Sequence, residues 1–330
     1  MVRESRWRRE IEVAGERLSY EVYECDARSD AERAEDARQG TLQGDLIVVI
    51  PGHWQTADSA KLLIGTSAAE GRSRVAWCVD IDPASGGDPV KAQALPLILA
   101  QDAGHLVGGR NVGQDSILSY GRDRQNAPGA AVPNVSLFGW SHGGAEALRT
   151  ADLSPGLFRQ VALICAAGLV DRTLWEMIPS FVIECLAIAG YAVLRGNDSY
   201  RRRVVAIVLN IAGGIYRDLI RARSPRRVAV DVWWATRNVP GPAFRYDGDV
   251  AIIFGADDRV IRWRDVCPEC TSPQEVAGAV EQLRQRDFPC VHSLQVQVLA
   301  GNHLSPDTDA AFARTALELT GLARRLSADD

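Results

Sequence analysis

The chain has 330 residues, 46% of them hydrophobic and 24% charged, with a formal net charge of −5. That composition describes an ordinary soluble globular chain, and the absence of a basic excess excludes a nucleic-acid-binding field. At this length one large α/β unit carrying an insertion is expected, rather than two unrelated domains.

The N-terminal stretch Met1–Arg9 is charged and lacks the apolar core of a signal peptide, so a cytoplasmic location is expected. Ile11–Val13 and Leu18–Tyr23, joined around Gly15-Glu16, predict an opening hairpin. Residues 26–44 are rich in Ala, Asp, Glu and Arg and predict a surface loop or short helix. Strand and helix signals then alternate. Leu46–Ile50, Val75–Val79, Val135–Phe138 and Val161–Cys165 predict buried strands, with helices over Ala57–Thr66, Pro89–Ala100 and Gln114–Arg122 between them. Short all-apolar strands separated by helices indicate a parallel sheet covered on both faces.

From Leu169 to Asp249 the alternation stops, and the sequence is helical and aromatic-rich with no clear strand. It resumes with the strands Val250–Phe254 and Leu294–Leu299. A final helix is expected over Asp307–Leu326, with Phe312, Ala316, Leu319, Ala323 and Leu326 on its packed face. The expected units are a core over 1–168, a helical insertion over 169–247, and the rest of the core over 248–330. The longest apolar stretch, Ile178 to Leu194, is interrupted by Glu184 and reads as too short for a membrane span.

The most informative motif is Gly139-Trp140-Ser141-His142-Gly143, which follows an apolar strand and precedes the helical sequence Gly144–Arg149. A strand turning sharply into a helix at G-x-S-x-G exposes the serine hydroxyl, and the glycines remove Cβ atoms that would block the turn. The helix aims its first N–H groups at the place where an oxyanion would form. A serine hydroxyl needs a base oriented by a carboxylate. His303, in Ala300-Gly301-Asn302-His303, and Asp258, in Gly255-Ala256-Asp257-Asp258, each follow an apolar strand, where sites of open α/β sheets collect.

G-x-S-x-G, G-x-x-D and G-x-H in this order after three apolar strands resemble the α/β-hydrolases, over roughly residues 44–167 and 248–326. The resemblance implies a mostly parallel sheet flanked by helices with an inserted helical cap. It implies Ser141 as nucleophile, His303 as general base and acid, and Asp258 as the orienting carboxylate, with Asp257 and Asp171 left open as alternatives. It also implies an oxyanion hole from the backbone N–H groups of His53 and His142. Pro51-Gly52-His53-Trp54 stands where the family usually carries His-Gly-x, so a proline replaces the usual histidine. His142's imidazole reads as a pocket wall and His105 as a surface residue.

An apolar insertion over the site favours a substrate with a hydrophobic acyl or alcohol part. Trp54 and Trp140, with Trp175, Ile178 and Phe181 of the insertion, are the expected substrate contacts. The arginines Arg201, Arg202, Arg203, Arg221, Arg223, Arg226 and Arg227 read as a solvated face or as recognition of a carboxylate or phosphate.

Among seven cysteines, Cys78, Cys165 and Cys185 read as small core residues. Cys267, Cys270, Cys290 and His292 could surround a structural zinc, form a disulfide or stay free thiols. A serine triad needs no cofactor and no catalytic metal.

The leading expectation is a serine carboxylic ester hydrolase acting on a small hydrophobic ester, with no nucleic-acid partner and no membrane span. A thioesterase or acyltransferase using the same residues is the second reading, and a non-catalytic ligand-binding protein on the same scaffold the third. Homo-oligomerisation is left open.

Overall fold

A computed structural model describes residues 2–52, 55, 60–70, 74–82, 88–107, 134–194, 196–216 and 225–320. The expected helix Gln114–Arg122 lies outside the described residues.

The opening hairpin is longer than its apolar residues suggest. Strands β1 (Arg3–Val13) and β2 (Glu16–Asp26) pair antiparallel along their whole length. Ala14 and Gly15 join them with φ values of 51° and 81°, the left-handed pair that matches the twist of a hairpin. The polar excursion after β2 forms helix α1 (Asp30–Gln39), started by a Ser29–Glu32 capping box and ended by Gly40 at φ 70°. Behind it, Arg28 is buried between the carboxylates of Asp26 and Asp36.

The alternating region follows the predicted order: β3 (Asp45–Ile50), α2 (Lys61–Glu70), β4 (Val75–Ile81), α3 (Asp88–Asp102), β5 (Asn134–Trp140), α4 (Gly143–Leu153) and β6 (Phe158–Ile164). Three helices then intervene, α5 (Leu174–Leu194), α6 (Asp198–Ile215) and α7 (Pro225–Ala235), before β7 (Asp249–Gly255). The β7–β8 connection holds α8 (Trp263–Val266), a 3-10 segment Pro273–Ala279 and α9 (Val280–Asp287), and leads to β8 (Ser293–Leu299). The last expected helix is broken. Asp309 ends α10 (Ser305–Thr308) and caps α11 (Ala310–Leu319) by accepting from the N–H groups of Ala311 and Phe312. Phe312 and Ala316 pack inward as the period requires, but Leu317 rather than the half-buried Leu319 completes the packed face, while Ala323 and Leu326 lie outside the described residues.

The strand order is β1-β2-β4-β3-β5-β6-β7-β8. From β4 to β8 the pairing is parallel, whereas β1 pairs antiparallel with β2, and β2 antiparallel with β4. Alternation along each strand divides the core in two. Leu46, Val48, Trp77 and Leu137 meet α3 and α4 on one face, whereas Ile47, Val49, Cys78 and Phe138 meet α2 and α11 on the other. The inserted helices join the second face through Ile188, Val204, Ile207 and Ile211.

Helix α5 corrects one expectation. It begins before Ile178, and from Trp175 to Leu194 it is long and apolar enough to cross a membrane by length and composition. Glu184 does not interrupt it, because its carboxylate is buried against the protein rather than exposed to solvent.

Candidate active site

The chemistry-bearing loops all leave the carboxyl ends of parallel strands, where neighbouring connections diverge and leave a crevice. Ser141 follows β5 with φ 53°, a left-handed conformation that costs a non-glycine residue about 1–2 kcal/mol. It is held there by its neighbours: its N–H donates to Ile164 O at 3.3 Å, and its carbonyl accepts from Ala167 N at 2.8 Å and Gly144 N at 3.0 Å. The glycines make the turn possible. A Cβ on Gly139 would lie 2.6 Å from Gly144 Cα, and one on Gly143 would lie 2.3 Å from Ile50 O. Gly144, not singled out in the motif, has the same need, since its Cβ would sit 2.3 Å from that of Ala166.

His303 Nε2 lies 2.8 Å from Ser141 Oγ, and its Nδ1 lies 2.9 Å from Asp258 Oδ2. An ionised carboxylate only accepts, so Nδ1 carries the proton and Nε2 is left to accept from the hydroxyl. Asp258 Oδ1 accepts from the N–H groups of Val260 and Ile261, both at 2.8 Å. The carboxylate cannot swing away, and both side chains are shut from water. Burial opposes charging of His303, but the Asp258 carboxylate outweighs it and, with Glu184, holds the imidazole pKa above its ordinary 6.5. Ser141 is only partly covered.

The structure thus brings Asp258 to His303 and leaves the two alternatives elsewhere. Asp171 is exposed and accepts from Asn238 N, and Asp257 is exposed. His142 opens α4, placing its backbone N–H at the positive end of the helix beside Ser141. Its imidazole is buried. His53 and Trp54 lie outside the described residues. Nearby, a Cβ on Gly52 would lie 3.0 Å from Ser141 Cβ, and the Gly52 N–H is taken by Gln55 Oε1 at 2.6 Å. His105 sits at the surface as expected, but is tied to Glu24 and Asp102 O and stacked on Trp77.

Two expected substrate contacts are corrected. Trp140 is fully buried, and its Nε1 donates to His303 O at 3.1 Å. Strand alternation sends it into the core, where it pins the histidine loop instead of touching a ligand. Trp175 is 86% exposed and stands clear of the site, because it falls on the outer stripe of α5. Phe181 fits its expectation better, with its ring edge-on to His303 at 6.5 Å between centroids. The side chain of Ile178 lies outside the described residues.

Glu184 is the residue missed in reading the sequence. Its Oε1 accepts the backbone N–H of His303 at 3.0 Å, joining the inserted helix to the histidine loop. Burial pushes its pKa up, and the nearby Asp258 charge adds to the effect. A lone acidic residue inside an apolar helix was the available signal. Beside it, an open cavity of about 730 Å³ is lined by Glu184, Ile188, Tyr200, Arg203, Arg259 and Asn302 among others. That lining is more polar than an apolar insertion led us to expect, because many apolar side chains of α5 and α6 face outward.

The cysteine set does not assemble. Among the described residues no group of side chains is placed to hold a metal ion. His292 Nδ1 instead bonds Asp249 at 2.9 Å, Cys290 is exposed, and Cys267 and Cys270 are buried free thiols. Burial pushes the Cys267 thiol up to about 11. Since the thiolate is the reactive form, a maleimide at neutral pH is expected to label Cys290 at least about tenfold faster than Cys267. Peptide mapping after timed quenching checks this, and equal rates would show that the Cys267 pocket opens.

Among solved structures, an α/β-hydrolase enzyme from a Medee basin deep-sea metagenome library matches with a TM-score of 0.53 and 12% identity, covering 96% of this chain and 98% of that one. A thermophilic esterase from Thermogutta terrifontis matches with a TM-score of 0.52 and 12% identity, covering 96% and 100%. An enol-lactonase from Burkholderia xenovorans matches with a TM-score of 0.50 and 14% identity, covering 94% and 98%. The chain has the α/β-hydrolase fold. No protein-family model and no curated protein sequence matches it. Within this fold β1 and β2 form the antiparallel edge, and α5–α7 occupy the insertion after β6.

Proposed function

We propose that the chain is a serine hydrolase that cleaves a carboxylic ester through an acyl-enzyme on Ser141. The observation carrying this reading is the continuous hydrogen-bond chain from Ser141 Oγ through His303 to Asp258, on a serine held at φ 53°. His303 takes the serine proton as Oγ attacks the carbonyl carbon, then gives it to the leaving alcohol. It next removes a proton from water, and the resulting hydroxide releases the acid and restores Ser141. The N–H of His142 is one oxyanion donor and that of His53 the other; each such donor contributes roughly 3 kcal/mol of barrier lowering.

Residues 169–247 act as a cap over this site, and Phe181 forms part of the wall around the acyl group. The esterase and lactonase named among solved relatives are compatible with ester cleavage. A thioester is the second substrate to test, because Arg203 and Arg259 line the cavity beside His303 and would suit an anionic carrier group.

The experiment is labelling with a fluorophosphonate probe together with turnover of p-nitrophenyl esters of increasing chain length and of acyl thioesters. Labelling and turnover are expected in the wild-type chain, with both lost in Ser141→Ala. Labelling that survives this substitution rules the nucleophile out. A higher kcat/KM for thioesters would move the assignment to the second substrate.

A further inference from the structure

His303 sits in a loop whose peptide groups are held by side chains. After β8 the N–H of Asn302 donates to Ser305 Oγ at 2.8 Å, and that of Leu304 to Asn302 Oδ1 at 3.0 Å, so both find partners inside the loop. The peptide groups of His303 find theirs outside it. Its carbonyl accepts from Trp140 Nε1 at 3.1 Å, and its N–H donates to Glu184 Oε1 at 3.0 Å. One tether comes from the end of β5, next to Ser141, and the other from helix α5 of the insertion.

Glu184 is out of character with the stripe it occupies. Its buried neighbours along α5 are the apolar Ile188 and Ala192, and a carboxylate buried among such side chains is costly unless it is hydrogen-bonded. Phe181, Glu184 and Ile188 fall at i, i+3 and i+7, on one face of the helix. From that face Phe181 sets its ring edge-on to the His303 imidazole, while Glu184 takes the His303 backbone. One helix face therefore meets the same residue at its ring and at its peptide. Without the Glu184 acceptor a buried N–H would be left unpaired, and the loop would have to shift to satisfy it. A shift of about an ångström would spoil the alignment of Nε2 with Ser141 Oγ and of Nδ1 with Asp258.

We propose that Glu184 is a positioning residue for His303, a role that rests on the hydrolase reading above. Through the backbone N–H of residue 303 it fixes the imidazole between Ser141 and Asp258, and so makes helix α5 a working part of the active site. Glu184 takes no proton in the reaction. Its loss therefore falls on turnover rather than on substrate binding.

The test compares Glu184→Gln and Glu184→Ala with the wild-type chain by ester turnover and by proton NMR. An imidazole N–H bonded to a buried carboxylate exchanges slowly with water and gives a resolved low-field line. Here that line belongs to His303 Nδ1 and is identified by its disappearance in His303→Gln. Glu184→Ala is expected to lower kcat by roughly 10²-fold, with KM within about twofold of wild type, and to lose or broaden the line. Glutamine keeps an acceptor oxygen in the same place, so Glu184→Gln is expected to keep the line and to recover at least about tenfold of the lost kcat. Both variants are expected to keep the wild-type circular dichroism. A Glu184→Ala chain that retains kcat within about threefold, or whose low-field line is unchanged, overturns the proposal. Equal losses in the two variants overturn it too, since the acceptor is then not what matters, as does a wild-type chain without the line. A wild-type chain with neither turnover nor fluorophosphonate labelling ends the hydrolase reading instead, and the low-field line in the two variants still decides whether Glu184 holds His303.

Discussion

Asp258→Asn is expected to lower kcat on the best ester by about 10⁴-fold, because loss of the orienting carboxylate leaves the imidazole in the wrong tautomer. The asparagine can still accept from Val260 and Ile261 N–H through its oxygen, which turns its amide N–H groups toward His303 Nδ1. That nitrogen must then become the acceptor, and Nε2, now protonated, can no longer take the serine proton. The wild-type pH profile carries the same logic. His303 works as a base only when neutral, and its pKa is raised above 6.5, chiefly by Asp258 acting against burial. kcat/KM should therefore rise with pH through a midpoint above 6.5, and in Asp258→Asn the residual activity should lose this limb to lower pH. For stability the sign is opposite. A raised histidine pKa stabilises the fold fully below the unfolded value and loses that contribution as pH rises through the folded one. A loss of less than tenfold in Asp258→Asn, or an unmoved acid limb, would mean that Asp258 does not orient the base.

Gly143→Ala carries the largest expected effect on folding. The added Cβ would lie 2.3 Å from Ile50 O and 2.6 Å from Pro51 O, both backbone atoms at the end of the central strand β3. Neither can yield without displacing the strand or the serine turn, so a destabilisation of about 3 kcal/mol is expected, at the upper end of ordinary overpacking. In a chain of this size that corresponds to roughly 4–5 °C in Tm. Gly65→Ala is the matched control. A Cβ there meets nothing within 4 Å, and alanine in a helix interior is favoured over glycine by roughly 0.5–1 kcal/mol. Thermal denaturation of both variants checks the pair. Equal shifts would show that the approach of β3 to the serine turn is looser than the structure has it.

Both predictions rest on features that could be read in the chain before its fold was known. Gly139, Ser141 and Gly143 announce the turn because no other residue pattern fits a serine so tightly between a strand and a helix. Asp258 and His303 were legible because each follows an all-apolar strand. Gly144 was not legible as part of the turn, since its requirement comes from Ala166, far away in sequence and brought beside it only by the loop that follows β6. Trp140 was misread for a related reason. Its place beside the serine suggested ligand contact, yet strand alternation sends its ring to the core and its N–H to His303 O.

The cysteines teach the same lesson. The spacing of Cys267, Cys270, Cys290 and His292 permits a metal cage, but His292 turns to Asp249 on β7, where a strand-end carboxylate is already in reach. Glu184 looked like a flaw in an apolar helix and is the link from that helix to the histidine loop.

Local pattern in the chain was enough for the strands, their alternation with helices, the serine turn and the order of the three chemistry-bearing residues, since each depends on neighbours a few positions away. Tertiary packing alone decided which of three aspartates meets His303, where Trp140 and Glu184 point, and that the apolar stripes of α5 and α6 face outward. Periodicity gives a helix a face, but the partner that face meets is chosen by contacts between segments distant in sequence.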